Sequence, residues 1–178
     1  MISFLDYILI EKKLRVFDFD DTLVRTTSFV FINHIDGTKT KLTPAQYAKY
    51  ELKSGDQLDF SDFEKVKRPK PINDIIKILD RMAKAKGERR IVILTARNID
   101  GPIKAYLNSL GYYPEVIALG KGDPKAKADW ILQQIKQGYD DVFFIDDSIK
   151  NVNAVKGLKD IVKSNVKIRA ALAKETYK

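Results

Sequence analysis

The sequence contains no cysteine and only one histidine, His34. The absence of cysteine excludes a disulfide framework and thiolate chemistry and is typical of a reducing compartment, so we expect a cytoplasmic protein. A single histidine on a predicted hairpin argues against a zinc site. The nine glycines form neither a G-x-G-x-x-G nor a G-x-x-x-x-G-K pattern. This argues against a glycine-rich nucleotide-binding loop.

Long apolar runs are also missing. A helix that spans a bilayer needs about 20 apolar residues, whereas Asp6 interrupts the most apolar stretch, MISFLDYILI at residues 1–10. No basic residue precedes this stretch and no small-residue cleavage site follows it. We therefore interpret it as an edge strand or a packed terminal segment rather than a signal peptide, and we expect no membrane partner. A length of 178 residues suits one domain.

The net charge of +8 is concentrated near the C-terminus. Residues 148–178 carry eight Lys and Arg against two Asp and Glu, a net charge of +6. Such a segment can attract phosphate-rich partners. Its lysines are spread evenly rather than clustered on one face, so we interpret it as a solvated terminal element.

Short β-branched or aromatic runs alternate with helical patterns along most of the chain. The runs predict strands at residues 14–19, 90–94, 115–119 and 141–145. The three- and four-residue spacings predict helices at residues 71–86, 102–110, 123–137 and 148–156. Residues 160–172 are ambiguous between strand and helix. This alternation predicts an α/β fold with a central parallel sheet covered by helices on both sides.

Residues 26–70 interrupt the alternation. FVFINHIDGTKTKL predicts a β-hairpin that turns at Asp36-Gly37, and the sequence from Thr43 to Gln46 predicts a capping box that opens a short helix. Aromatic side chains in this segment could stack on bases. Because alternate aromatic residues on a hairpin usually pack inward, we favour a small core within the insert. These residues are Phe29, Phe31, Tyr47, Tyr50, Phe60 and Phe63.

Polar residues follow three of the predicted strands. They are Asp18, Asp20 and Asp21 after the first strand, Thr95 after the second, and Asp146 and Asp147 after the fourth. The carboxyl ends of neighbouring parallel strands converge, and ligands bind there. On an extended backbone Asp18 and Asp20 point to the same side, whereas Asp21 points away and is interpreted as a bystander or loop cap.

Carboxylates that face one point repel each other, so they need raised pKa values or a cation between them. Oxygen ligands without a nearby His or Cys suit Mg²⁺. A hydroxyl at Thr95 and a nearby lysine indicate a phosphate site. Among Lys121, Lys125 and Lys127, we prefer Lys127, because it shares the inward face of its helix, and Lys125 is the alternative.

Together these residues resemble the motifs of the haloacid dehalogenase superfamily of phosphohydrolases. RVFDFDDTLV resembles the first motif, IVILTAR the second and VFFIDDS the fourth, and Lys127 stands where the third motif has its lysine. The resemblance covers residues 14–157. It implies a Rossmann-like three-layer fold in which residues 1–178 form one catalytic domain, with a small hairpin and helix cap insert at about residues 26–70.

The resemblance also implies catalytic roles. Asp18 would be the nucleophile that forms an aspartyl-phosphate. Asp20 would protonate the leaving oxygen, and so start protonated, and then activate the water. Thr95 and Lys127 would hold the phosphoryl oxygens.

For the metal site, the resemblance implies Mg²⁺ held by Asp18, the backbone carbonyl of Asp20, and Asp146. Asp147 would support the metal or the lysine from outside this ligand set. Asn151 stands where relatives often carry another acid, and it would also lie outside the ligands.

The expected substrates are nucleotides or other small phosphomonoesters, with Ala96 and Arg97 lining their site, although an exposed arginine is the plainer account of Arg97. A small cap leaves an open site, and with the basic C-terminal segment this keeps a 3′-phosphatase acting on polynucleotide ends as an alternative. A second alternative is a non-catalytic phosphate-binding module. It is less favoured because Asp18 and Asp20 are both present.

Overall fold

The computed structural model describes residues 11–47 and 49–173. The strands are β1 (Lys13–Phe17), β2 (Val24–Arg25), β3 (Val30–Asn33), β4 (Lys39–Leu42), β5 (Gln57–Asp59), β6 (Lys70–Pro71), β7 (Arg89–Thr95), β8 (Glu115–Ala118), β9 (Asp141–Asp146) and β10 (Lys167–Leu172). The helices are α1 (Pro44–Tyr47), α2 (Asn73–Lys84), α3 (Gly101–Ser109), α4 (Pro124–Lys136) and α5 (Ile149–Gly157). Single 3₁₀ turns lie at Ser61–Glu64 and Leu158–Asp160.

Five strands form a parallel sheet in the spatial order β10, β9, β1, β7, β8. In the three central strands, Val16 of β1 lies opposite both Val92 of β7 and Phe144 of β9. The ambiguous segment at residues 160–172 provides β10, which runs parallel to β9. All four predicted strands and four predicted helices are present, with each end within two residues of its predicted position.

Alternation along the strands creates two apolar cores. Leu14 and Val16 point to one face, where they pack with Ile131 of α4 and Val155 of α5. Phe17 points to the other face, where the cluster includes side chains of α2 and α3, Ile75, Leu79, Ile103 and Leu107. Because both faces are covered by helices, the prediction of an α/β fold with a central parallel sheet is confirmed.

The segment between β1 and α2 forms a separate small sheet. Its strand order is β4, β3, β5, and the chain leaves and returns through the antiparallel pair of β2 and β6. The predicted hairpin at Asp36-Gly37 is confirmed, with Gly37 at a φ of +82° that favours glycine. The predicted capping box is also confirmed. Thr43 N–H donates to Gln46 Oε1 at 2.8 Å, and Gln46 N–H donates to Thr43 Oγ1 at 3.2 Å.

The prediction that the hairpin aromatics pack inward is wrong for Phe29 and Phe31. The buried side chains of this strand are Val30 and Ile32, so the two phenylalanines lie on the opposite face. The Lys41 ammonium lies 3.7 Å from the centroid of the Phe29 ring. A corresponding pair of Lys39 and Phe31 lies at 4.9 Å. The β-branched residues fill the inner face, and lysines cover the rings by cation–π contact.

Three other aromatic residues of the insert form ring contacts with one another, and of these Phe63 is buried whereas Phe60 is exposed. Tyr47 packs edge-on against Phe60 at 5.6 Å between ring centroids, and Phe60 contacts Phe63 at 6.2 Å. The terminal stretch at residues 1–10 lies outside the described residues. In the described part of the chain, no helix has the length and apolar character needed to cross a membrane.

Candidate active site

The carboxyl ends of β1 and β9 meet where the strand order of the sheet reverses. From β1 the chain continues to β7 and β8 on one side and then passes to β9 and β10 on the other. Open α/β sheets bind ligands at such a point. Asp18 follows β1, Asp146 ends β9, and Asp18 N–H donates to the Ile145 carbonyl at 3.0 Å. Two of the predicted aspartates therefore lie side by side at this edge.

Lys127 connects these two aspartates. Its Nζ donates to Asp18 Oδ1 at 2.6 Å and to Asp146 Oδ2 at 2.7 Å. All three side chains are buried, with Lys127 only 3% exposed. Among the described residues, Asp18 Oδ2 accepts no hydrogen bond, so one oxygen of this carboxylate is not committed.

The start of α4 explains why Lys127 rather than Lys125 reaches the site. Asp123 caps the helix by accepting a hydrogen bond from Lys125 N–H at 2.9 Å, which sets the helix phase. Lys127 then lies on the buried face with Ala128 and Ile131. Lys125 and Lys121 are exposed. The preference for Lys127 agrees with its position.

Burial sets the electrostatics of the cluster. Burial raises the pKa of the Asp18 carboxyl well above its ordinary value, and the neighbouring charges of Asp146 and Asp147 add to this, whereas Lys127 opposes it. Burial by itself would lower the pKa of Lys127, but the carboxylates of Asp146 and Asp18 outweigh it and raise that pKa. Lys127 therefore stays protonated. Its single positive charge faces two carboxyl groups, so one more positive charge would neutralise the cluster.

Asp147 was predicted to lie outside the set of metal ligands, but it lies close to Asp18 and Asp146. Asp18, Asp146 and Asp147 each offer a carboxylate oxygen, and these oxygens lie within 4.8 Å of one another. Asp147 N–H also donates to Thr22 Oγ1 at 2.9 Å, which ties the end of β9 to the loop after β1. The Asn151 amide donates to both oxygens of Asp146 at 3.0 Å.

Asp20 lies in a separate cluster with Arg97. The guanidinium donates from Nε to Asp20 Oδ2 at 2.8 Å and from Nη2 to Asp20 Oδ1 at 2.7 Å. Thr26 Oγ1 donates to the same Oδ1 at 3.0 Å. Such a two-bond fork is the strongest geometry for a carboxylate and an arginine. Asp18 and Asp20 thus each have their own counter-ion.

The expectation that Arg97 is exposed is wrong. Arg97 is 4% exposed, and its Nη1 donates to the backbone carbonyls of Phe63 at 2.7 Å and Lys65 at 2.9 Å. Its guanidinium carbon also lies 5.0 Å from the ring centroid of Phe63 and 5.5 Å from that of Phe19. The carbonyls and rings stabilise a buried cation, which explains why the side chain leaves water. Arg97 therefore joins Asp20 to the insert.

Thr95 and Ala96 are positioned by the end of β7. Thr95 is buried at the last position of the strand, and its Oγ1 accepts a hydrogen bond from Arg97 N–H at 3.2 Å. Ala96 is exposed. The backbone after β1 turns sharply at Asp21, which has a φ of +57°, a left-handed conformation that Asp tolerates better than most residues.

Several groups that position the site were not predicted from the sequence. Thr22 and Thr26 lie in the loop after the first motif and bind the Asp147 backbone and the Asp20 carboxylate. Their proximity to the motif is a weak signal that could have indicated a role. The Phe63 and Lys65 carbonyls carry no sequence signal, because every residue has one.

No family model, curated protein or solved structure matches the chain. Similarity to known proteins therefore does not show its family.

Proposed function

We propose that the protein is a Mg²⁺-dependent phosphomonoester hydrolase of the haloacid dehalogenase superfamily that forms an aspartyl-phosphate intermediate. The observation that carries this proposal is the buried contact of Lys127 with Asp18 and Asp146, which leaves Asp18 Oδ2 without a hydrogen bond among the described residues. A buried carboxylate held by an ammonium, with one oxygen uncommitted, suits a nucleophile that must attack an anionic group.

The residues around Asp18 fit a magnesium ion. Asp18, Asp146 and Asp147 supply hard oxygen donors in one cluster, and no His or Cys of the described part belongs to it. We propose that these carboxylates hold the ion, with the Asp20 backbone carbonyl as a further ligand. Bound there, Mg²⁺ would offset the repulsion between the Asp18 carboxylate and the phosphoryl group.

In the first step Asp18 Oδ2 attacks phosphorus while the bond from phosphorus to the leaving oxygen breaks. Lys127 opposes the effect of burial and favours the ionised form of Asp18, and Lys127 and the Thr95 hydroxyl donate to the transferring phosphoryl oxygens. Protonated Asp20 gives its proton to the leaving oxygen, so the products are an alcohol and the Asp18 phosphate.

In the second step a water oxygen attacks the same phosphorus. Asp20 takes the proton of this water, the bond from phosphorus to Asp18 breaks, and inorganic phosphate leaves. Because both Asp20 oxygens accept hydrogen bonds from Arg97, we infer that the carboxyl turns away from Arg97 before it carries a proton.

The finer description of the fold belongs to the same proposal. We assign residues 11–173 to one catalytic domain with a Rossmann-like core and residues 26–70 to a small cap. The hydrogen bonds from Arg97 to the carbonyls of Phe63 and Lys65 support this assignment, because they connect the insert directly to the group that holds Asp20.

The test is release of phosphate from a generic aryl phosphate with Mg²⁺ or with a chelator. We expect activity only with Mg²⁺, and we expect Asp18→Asn to lower it on the order of 10⁴-fold. Asp21→Asn is the matched control, since it makes the same chemical change in the same loop and should keep most of the activity. Equal rates for Asp18→Asn and the unmodified protein would contradict the mechanism, and no activity with any phosphomonoester would favour a non-catalytic phosphate-binding module.

A second candidate is a 3′-phosphatase that acts on polynucleotide ends. It is favoured by the outward face of the hairpin, where Lys41 and Lys39 lie over Phe29 and Phe31, because aromatic rings beside cations bind single-stranded nucleic acid. The two substrate classes are separated by comparing a 3′-phosphorylated oligonucleotide with a mononucleotide at two salt concentrations. Faster oligonucleotide turnover that falls with salt supports the second candidate, and equal, salt-independent turnover rejects it.

A further inference from the structure

An open groove of about 770 Å³ lies at the amino ends of the central strands. Its walls include the first residues of four neighbouring strands, which are Lys13 of β1, Arg89 of β7, Asp141 of β9 and Lys167 of β10. Asp18 lies at the opposite ends of the same strands. With about 3.3 Å per residue, five residues of β1 separate Lys13 from Asp18 by about 17 Å. The groove and the candidate active site therefore share no residue.

The groove is strongly basic. Seven Lys and Arg but only two Asp and Glu line it. Three of the cations come from β1 and the start of β7, and four come from residues 159–169. The expectation that the basic residues of the C-terminal segment are spread evenly is therefore wrong, because folding gathers four of them on one surface. The net charge of the lining is +5, a large part of the +8 of the whole chain.

The two carboxylates of the groove are already neutralised. Asp141 accepts hydrogen bonds from Arg15 at 2.7 Å and from Arg169 at 2.6 Å, and Glu11 pairs with Lys167. Neither carboxylate is available to hold the remaining cations.

Four cations of the groove form no ion pair with any carboxylate of residues 11–47 and 49–173. They are Lys13, Arg89, Lys159 and Lys163. Like charges that line one groove repel one another and raise the free energy of the folded protein, so a multivalent anion that binds among them gains electrostatic energy.

We propose that this groove binds the sugar-phosphate backbone of a polynucleotide. A polynucleotide chain with regularly spaced phosphates matches an open groove whose cations come from β1, β7 and β10 and from the segment that precedes β10. Among the described residues, no aromatic side chain lines the groove, so we expect binding through phosphates rather than base stacking, without dependence on base sequence. An anionic membrane is a poorer fit, because a planar surface cannot enter a concave one.

The experiment measures binding of the full chain to a fluorescently labelled duplex oligonucleotide without terminal phosphates, so that the candidate active site has no substrate. We expect binding at low salt that weakens linearly in log Kd against log salt concentration. The double variant Lys159→Glu/Lys163→Glu should bind about tenfold or more weakly and should reduce the salt slope by about 2, which is one for each lost phosphate contact.

The matched control is Lys49→Glu/Lys53→Glu, which makes the same charge change at two exposed lysines of the insert. It should retain most of the affinity. An equal loss in both double variants would reject the groove as the site, and so would a lack of binding at low salt. Equal binding to anionic phospholipid vesicles that also depends on Lys159 and Lys163 would reject a polynucleotide as the specific partner.

This inference is independent of the proposed catalysis. Lys159→Glu/Lys163→Glu should hydrolyse an aryl phosphate at the unmodified rate, and Asp18→Asn should bind the duplex with unmodified affinity. The two hypotheses can therefore fail separately.

Discussion

The two ends of the central sheet place aspartates in opposite electrostatic situations. At the carboxyl end, burial raises the pKa of Asp18 well above its ordinary value, against the pull of Lys127. At the amino end, burial alone would raise the pKa of Asp141, but the hydrogen bonds and charges of Arg15 and Arg169 outweigh it and lower that pKa. Asp18 at the carboxyl end thus has too little positive charge around it, whereas the charge of Asp141 at the amino end is fully neutralised.

This difference separates the candidate active site from a site with a structural role. Asp141 has two arginines and is the anchor of a basic surface. Asp18 shares one buried lysine with Asp146, so the carboxyl end lacks one positive charge. A buried deficit of this kind is costly unless a cation or a proton fills it, and such sites are candidates for function.

The largest expected effect comes from removing the lysine that the two aspartates share. Lys127→Met keeps the length of the side chain and leaves Asp18 and Asp146 buried without their ammonium. We expect the free energy of unfolding to fall by about 3–5 kcal/mol at neutral pH in chelator. Urea titration measures this change.

Lys125→Met is the control, because Lys125 lies two residues earlier on the same helix and is exposed. Its effect should stay within about 0.5 kcal/mol. Added Mg²⁺ should recover part of the stability lost in Lys127→Met, since a cation between the carboxylates replaces the missing charge. Equal, small losses in the two variants would show that the carboxyl end has no charge deficit.

Arg97→Lys tests the second ion pair of the carboxyl end. A lysine cannot form the fork to Asp20 while it also donates to the carbonyls of Phe63 and Lys65. We expect a loss of about 2–3 kcal/mol in the free energy of unfolding, together with a changed pH profile of kcat/KM because the environment of Asp20 changes.

Arg90→Lys provides a matched comparison. Arg90 forms a similar fork with Glu115, with bonds of 2.8 and 2.9 Å, but the pair is partly exposed. Arg90→Lys should lower the free energy of unfolding by no more than about 1 kcal/mol and leave the pH profile of kcat/KM unchanged. If both variants change stability equally, burial of the Arg97 pair has no special energetic role.

Asp141→Asn tests the amino end through pH. The pKa of Asp141 is lower in the folded protein than its ordinary value of 3.8, so its contribution to stability is present above that value and is lost as the pH falls through the folded pKa. We expect the variant to be less stable by about 1–2 kcal/mol at neutral pH. The difference in free energy of unfolding between the variant and the unmodified protein should become smaller as the pH falls below 3.8.

Asp18→Asn should show the opposite sign in chelator. Its raised pKa contributes stability that is present below 3.8 and is lost as the pH rises through the folded pKa. The variant should therefore gain stability relative to the unmodified protein as the pH rises. Unfolding measured from acidic to neutral pH would disprove the contrast if the two variants followed the same trend.

The smallest expected effect concerns the open cations of the groove. Lys159 and Lys163 are exposed and form no ion pair in the described part of the chain. Lys159→Glu/Lys163→Glu should therefore shift the free energy of unfolding by no more than about 0.5 kcal/mol per substitution, measured by urea titration. A large loss would mean that these lysines stabilise the fold rather than bind a partner.

Much of the core was predictable because its signals are local. The short apolar runs of β1, β7 and β9 and the spacing of apolar residues in α2 and α4 depend on neighbours within a few residues, so the sequence alone reveals them. The hairpin core was misjudged for Phe29 and Phe31, because periodicity shows which residues share a face but not which face is buried. Val30 and Ile32 take the inner face instead.

Within the site, the order of the motifs predicted that Asp18, Lys127 and Asp146 converge, since parallel strands bring their carboxyl ends together. The partner of Asp20 was not predictable in the same way. Arg97 lies 77 residues further along the chain and is buried by backbone carbonyls of the insert, which have no sequence signature.

Short-range patterns predicted four strands of the central sheet, four helices, the acidic strand ends and a preference for Lys127 over Lys125, because each depends on short spacing or on the convergence of parallel strands. Which charges meet depends on the fold of the whole chain. Folding pairs Asp20 with Arg97, places carboxylate oxygens of Asp18, Asp146 and Asp147 within 4.8 Å of one another, and gathers Lys13, Lys159 and Lys163 into one groove. Coulomb energy depends on distance in space, and distances between remote residues exist only after the chain has folded.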